Sequence, residues 1–313
     1  MKSIVLLGCL VVTAQLAAAK PGAKAKPRPD GKLGAHMFVL DEDGEPAVVV
    51  RPLSDQEDAR EPSHRKQVRR LNNVLSRDAG AGLSKADAAW RGAEIQLYRG
   101  LQTACRARIR SLRVAIWVDA EATDREAWAR PSHILVGVLD KPCPDVTWGR
   151  LASLPPARIA AAEAAAGDVS RATEAAMRGL PSFQKFWSDH APGGPTVPSG
   201  RDERNKQVRG IRVLHLNSRT LVWALTTTIG SCDSFSDYWA LWEDREQGGK
   251  HQLTLLAGAE DGYAPTVDGV VDLDGDGEPA LLLNRGTRVL RKIGGDPAYW
   301  IDELRAEDLH PDC

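Results

Sequence analysis

Three carboxylates at alternate positions, Asp272, Asp274 and Asp276, share one glycine-bearing stretch, Asp272-Leu273-Asp274-Gly275-Asp276-Gly277. It lies between the apolar runs Val267–Val271 and Ala280–Leu283, so the chain here reads as strand, tight turn and strand. Such a turn concentrates oxygen ligands. A hard cation such as Ca2+ takes six to eight oxygens, and a loop delivers them best by alternating carboxylates with small residues that bend the backbone. The side chains of Asp272, Asp274 and Asp276 and the carbonyl of Glu278 are the candidate metal ligands. With no counter-ion, carboxylates about 4 Å apart repel by roughly 1 to 4 kcal/mol per pair, depending on the local dielectric.

The N-terminus carries the second signal. Lys2 precedes an apolar run from Ile4 to Leu16, and Ala17-Ala18-Ala19 supplies small residues before Lys20. Residues 1–19 therefore read as a secretory signal peptide, too short to span a bilayer, with a periplasmic or secreted destination. The alternative is a lipoprotein anchored through Cys9, in the box-like Leu6-Leu7-Gly8-Cys9. Removal of Cys9 leaves Cys105, Cys143, Cys232 and Cys313, an even set suited to an oxidising compartment. Of the three connectivities open to four cysteines, Cys105–Cys143 and Cys232–Cys313 keep each pair within one expected domain. A net charge of -1 gives no case for nucleic acid as partner, which leaves a protein or a glycan.

Along the chain, residues 20–35 read as a flexible basic linker and 36–190 as an α+β region. Residues 191–204, rich in Pro and Gly, read as a second linker, and 205–313 as an antiparallel β domain. The expected fold class is α+β: a mixed helix and strand N-terminal region followed by a C-terminal antiparallel β-meander. In the first part Met37–Leu40 and Ala47–Val50 pattern as strands, as do the alternating stretch Leu112–Val118 and the apolar run Ile134–Leu139. Helices are expected after Pro62 (Val68, Leu71, Val74 and Leu75 on one face) and from a Ser84/Asp87 cap through Trp90, Ala93, Leu97, Leu101 and Ala104. Two more are expected over Pro156–Ala166 and Asp168–Met177. In the second part strands are expected at Ile211–Leu216, Thr220–Ile229, Tyr238–Glu243, Gln252–Ala257, Thr266–Val271, Ala280–Leu283 and Thr287–Ile293. A short helix is expected over Ala298–Leu304.

The stretch Val271–Leu283 resembles the calcium loop of FG-GAP and VCBS-type repeats, in its alternating aspartates, the Gly277 position and the strand-loop-strand setting. The resemblance implies Asp272, Asp274, Asp276 and the Glu278 carbonyl as ligands. Ala280 stands where that pattern has a further aspartate, and the loop occurs once in the chain. The letters Val270-Val271-Asp272-Leu273-Asp274 are also similar to the first motif of haloacid-dehalogenase-type phosphatases, but Asp276 replaces its threonine. Gly230-Ser231-Cys232 has a passing likeness to the nucleophile segment of papain-like proteases, but Asp233 replaces the aromatic residue that follows the cysteine.

The seven histidines form no zinc-ligand pair, and no nucleophile elbow or phosphate-cradling loop occurs. Tyr238, Trp239 and Trp242 could stack on sugars, though alternation puts only Tyr238 and Trp242 on one face, and core packing is the default for such residues. These readings point to an exported binding or structural protein, more non-enzymatic than enzymatic. The alternative is a secreted hydrolase whose site forms no sequence motif.

Overall fold

The computed structural model describes residues 32–42, 45–52, 69–71, 74–78, 83–117, 132–190, 208–228, 236–261, 265–292 and 299–303. Residues 1–19 with Cys9, the expected Cys232–Cys313 pair and the stretch 191–204 lie outside them. The fold is mainly β, with several antiparallel sheets and a closed six-stranded barrel, and this overturns the α+β expectation.

The first eight strands are β1 (Met37–Glu42), β2 (Glu45–Pro52), β3 (Arg69–Leu71), β4 (Val74–Asp78), β5 (Glu94–Arg99), β6 (Gln102–Trp117), β7 (Ser132–Leu139) and β8 (Trp148–Leu151). Six of them close in the order β6-β5-β8-β1-β2-β7, and β7 returns to pair with β6. Closure leaves these six without a free edge at the seam. The β3–β4 hairpin extends from the far side of β6. Apolar side chains at alternate positions fill the barrel: Met37, Val48, Ile95, Leu97, Ile109 and Leu135 are among its fully buried members. A register shift between Ile109 and Ser111 lets β6 keep Ala107 and Ile109, then Leu112 and Val114, turned inward. Cys105 on β6 is disulfide-bonded to Cys143, with Cα atoms 6.5 Å apart. A crosslink of this kind contributes about 2–4 kcal/mol.

Four expected helices are replaced by other structure. Of the helix expected after Pro62, residues 69–71 and 74–78 are strands β3 and β4, in which Leu71 pairs with Val74; Val68 lies outside the described residues. The Ser84 cap is real, since its hydroxyl accepts the Asp87 N–H at 3.1 Å, but α1 (Lys85–Ala88) is a single turn. Trp90 then turns into the barrel core, and Ile95 and Leu97 continue inward as strand β5. Gly100, at φ +56, makes the tight turn into β6. Alanine-rich Pro156–Ala166 forms β9 (Arg158–Ala161) and β10 (Glu163–Ala164), and Ala298–Leu304 contains β18 (Tyr299–Glu303). The helix expected over Asp168–Met177 is present as α2 (Gly167–Arg178). It ends at Gly179, and Pro181 occupies the first position of the next helix, α3 (Pro181–His190).

The later strands follow the expected positions closely: β11 (Arg209–Leu216), β12 (Arg219–Thr228), β13 (Ser236–Gln247), β14 (Lys250–Asp261), β15 (Val267–Asp272), β16 (Pro279–Leu283) and β17 (Arg288–Lys292). They form two sheets rather than one meander, ordered β10-β11-β12-β13-β14 and β18-β17-β16-β15-β9. β9 and β10 join them from before the 191–204 stretch.

The second of these sheets is covered on both faces. Val270, Leu281, Leu283 and Leu290 meet Trp223, Trp239 and Leu241 of the first sheet. On the other face Val271, Leu282 and Val289 meet Tyr98 and Trp148 on the outside of the barrel. This explains the continuous apolar run of β16, whose five residues are all buried. The far face of the first sheet is closed by Met177, Phe183 and Phe186 of α2 and α3 over Val222, Ala224 and Tyr238. The order of layers is barrel, central sheet, outer sheet, helices.

Candidate metal centre

The acidic hairpin joins β15 to β16 at one end of the central sheet, where Asp272 still pairs with both Pro279 and Arg158. Leu273 is buried among the residues between barrel and sheet, and pins the first half of the turn. Gly275 and Gly277 have φ of +86 and +85, a backbone region in which a side chain would be strained. The sequence supplies glycine at both points where the hairpin reverses.

The carboxylates of Asp272, Asp274 and Asp276 converge: one oxygen from each lies within 4.8 Å of the others. Oxygens bound to one Ca2+ ion at about 2.4 Å lie no further apart than about 4.8 Å. Each carboxylate also braces the turn by accepting a backbone N–H, Asp272 from Gly275 at 2.8 Å, Asp274 from Asp276 at 3.3 Å and Asp276 from Glu278 at 2.7 Å. These bonds occupy one oxygen per carboxylate and leave the other open. None of the three forms an ion pair with a Lys, Arg or His among the described residues. Asp272 is only 5% exposed, so water relieves its charge poorly. The donor set, all oxygen and all anionic, fits a hard divalent cation.

Glu278 serves differently from its three neighbours. Its carboxylate contacts Arg219 of β12 at 3.3 Å and Lys292 of β17 at 3.0 Å, and Arg219 also reaches Glu243 of β13 at 2.9 Å. The side chain therefore ties the hairpin to both sheets, while its backbone carbonyl remains the candidate ligand.

Arg150 has no counterpart among the sequence candidates. It is 2% exposed on β8, and its guanidinium donates from Nη2 to the Leu273 carbonyl and from Nη1 to the Pro155 carbonyl, each at 2.7 Å. One buried fork thus fixes the loop to the barrel. No periodicity marks such a residue, because its role exists only once β8 and the hairpin are packed together.

The remaining candidates do not form a second centre. Tyr238, Trp239 and Trp242 are buried: Tyr238 and Trp242 face the helices, and Trp239 stacks on Trp223 at 5.0 Å. That burial removes them as a glycan platform. His251 is hydrogen-bonded to Asp244 at 2.9 Å within the outer sheet, and His36 is buried against Trp148 with Nε2 3.2 Å from the Gly286 carbonyl. A cavity of about 470 Å³ beside the disulfide is lined, among the described residues, by Val39, Leu40, Pro46 and residues 142–146, of which Asp145 alone carries charge. The cysteine of the protease-like segment lies outside the described residues. Among the described residues no helix is long and apolar enough to cross a membrane. Compared with protein families, curated proteins and solved structures, the chain matches none.

Proposed function

We propose that this is an exported binding or structural protein, non-enzymatic, whose β15–β16 hairpin holds one Ca2+ ion that stiffens the junction of its sheets. The observation that carries this reading is the convergence of three carboxylates with no basic side chain among the described residues to neutralise them. Export is supported by the signal-like N-terminus and is compatible with the Cys105–Cys143 disulfide. The ion's role is structural in this reading, since the carboxylates already brace the turn and Glu278 ties it to β12 and β17. A protein or glycan partner would then be met by the surface that this framework holds rigid.

The test is thermal unfolding of the mature chain in calcium and in chelator. At a calcium concentration ten times the dissociation constant, the folded state gains about 1.4 kcal/mol, a rise of roughly 3 °C. Magnesium, which demands shorter and more regular coordination, should raise the midpoint less. Identical midpoints in millimolar calcium and in chelator would remove the structural ion from the account.

A further inference from the structure

Asp–Gly is the dipeptide whose backbone most readily rewrites itself. The glycine nitrogen attacks the aspartate Cγ, a C–N bond forms, and the carboxyl hydroxyl leaves with the amide proton as water. The product is a five-membered succinimide. Water then opens the ring at either carbonyl, which restores aspartate or gives isoaspartate, in which the chain runs through Cβ and Cγ. Glycine permits the attack because it has no Cβ to shield its nitrogen and its backbone turns freely. The chain contains six such pairs, and both residues are described at three of them: Asp268–Gly269, Asp274–Gly275 and Asp276–Gly277.

The fold sets these three apart. Gly269 lies between β16 and β9, opposite Leu282 and Ala161, and a Cβ there would stand 2.4 Å from the Ala160 carbonyl. Asp268 is held as well, its carboxylate accepting the Arg285 N–H and its carbonyl the Ala162 N–H at 2.8 Å. Ring closure there would require both ladders to open. Gly275 donates its N–H to Asp272 at 2.8 Å, and a Cβ on it would meet Pro155 at 3.3 Å. Attack on Asp274 would break that hydrogen bond. Gly277 differs on each count. Its N–H has no acceptor among the described residues, nothing lies within 4 Å of where its Cβ would be, and Asp276 before it is exposed. Asp276 also accepts the Glu278 N–H at 2.7 Å, which folds its carboxyl back over the Gly277 peptide.

We propose that Asp276–Gly277 is a site of spontaneous covalent modification, at which the ion-free hairpin passes through a succinimide to isoaspartate. In isoaspartate the carboxylate sits on Cα, one carbon nearer the backbone, and the chain is one atom longer where the hairpin reverses. The oxygen of Asp276 then leaves the converging set, so conversion retires the cation site. That consequence alone rests on the proposed function.

Warm incubation of the mature protein with chelator, in water enriched in heavy oxygen, tests this by peptide mapping, because each passage through the ring installs one heavy oxygen. Label at Asp276 is expected to accumulate about tenfold or more faster than at Asp274 or Asp268, the factor that opening one hydrogen bond imposes. In urea the three bonds should react alike. Asp272→Ala, shown to be folded by circular dichroism, frees the Gly275 N–H and should bring Asp274 up toward Asp276 while Asp268 stays slow. Folded protein that repeats the urea pattern, labels Asp274 first or takes up no label at Asp276 overturns the proposal. An Asp272→Ala chain in which Asp274 stays slow overturns the protection assigned to that hydrogen bond. A converted chain that keeps the calcium-dependent rise in melting temperature of the fresh one overturns the loss of the site. A fresh chain without that rise fails the cation reading alone, since the labelling is done without calcium.

Discussion

Replacing Arg150 by alanine is expected to destabilise the protein by roughly 3–5 kcal/mol, since two charge-assisted hydrogen bonds are lost and the carbonyl of buried Leu273 loses its donor. Nη1 and Nη2 reach Pro155 and Leu273 from one planar group, and the side chain is almost wholly buried. Lysine keeps the charge but offers no fork, so Arg150→Lys should lose roughly half as much. Because the Leu273 carbonyl sits between two of the converging aspartates, Arg150→Ala should also shrink the calcium-dependent rise in melting temperature. Urea unfolding with and without calcium measures both effects. An alanine variant within about 1 kcal/mol of the native protein would show that the fork is dispensable.

Acid should weaken the fold through His36. Its ring is buried between Phe38 and Trp148, with centroid distances of 4.8 and 5.4 Å. Burial pushes its pKa down to about 3; the positive charge of Arg291 adds to that, and the hydrogen bond to the Gly286 carbonyl opposes it. In the unfolded chain the imidazole titrates near 6.5, so below that pH the unfolded state binds a proton that the folded state refuses. This contribution to stability is whole above pH 6.5 and is lost as pH falls toward 3, at up to about 1.4 kcal/mol per pH unit. His36→Phe keeps an aromatic ring beside Trp148 and removes the titration. Between pH 6 and 4.5 the native protein should lose roughly 2 kcal/mol more than this variant, by urea unfolding at each pH. The comparison cancels groups common to both, including Glu45, whose carboxyl is held low by its hydrogen bond to Arg110, and Asp268, raised by burial. Parallel pH profiles would contradict it.

The C-terminal strands were legible because each shows its own period or apolar run between turn residues, and the hairpin because glycines stand where φ must be positive. The N-terminal half misled for an identifiable reason. Trp90, Ala93, Leu97 and Leu101 fall at helical spacing, but Ile95 and Leu97 also alternate with Glu94 and Gln96, and the barrel used that second period. Alanines 160 and 161 favour a helix by propensity, yet β15 needed a partner along its outer edge and took them. Barrel closure, the split of the meander into two sheets and the continuous burial of β16 depend on which strands meet, which a single sequence does not state. At the site, Asp272, Asp274 and Asp276 were visible as a pattern and do converge. The engagement of the Glu278 side chain by Arg219 and Lys292, and the buried fork of Arg150, arise from residues distant in the chain.

The most direct measurement follows the backbone amides of Gly275 and Gly277 by nuclear magnetic resonance while calcium is added to chelator-stripped protein. Saturable shifts confined to the hairpin are expected, with a dissociation constant of about 0.1–1 mM, and none in a variant carrying Asp272→Asn, Asp274→Asn and Asp276→Asn. Amides that stay in place through millimolar calcium, or that move equally in the triple variant, would contradict a cation held by these three carboxylates.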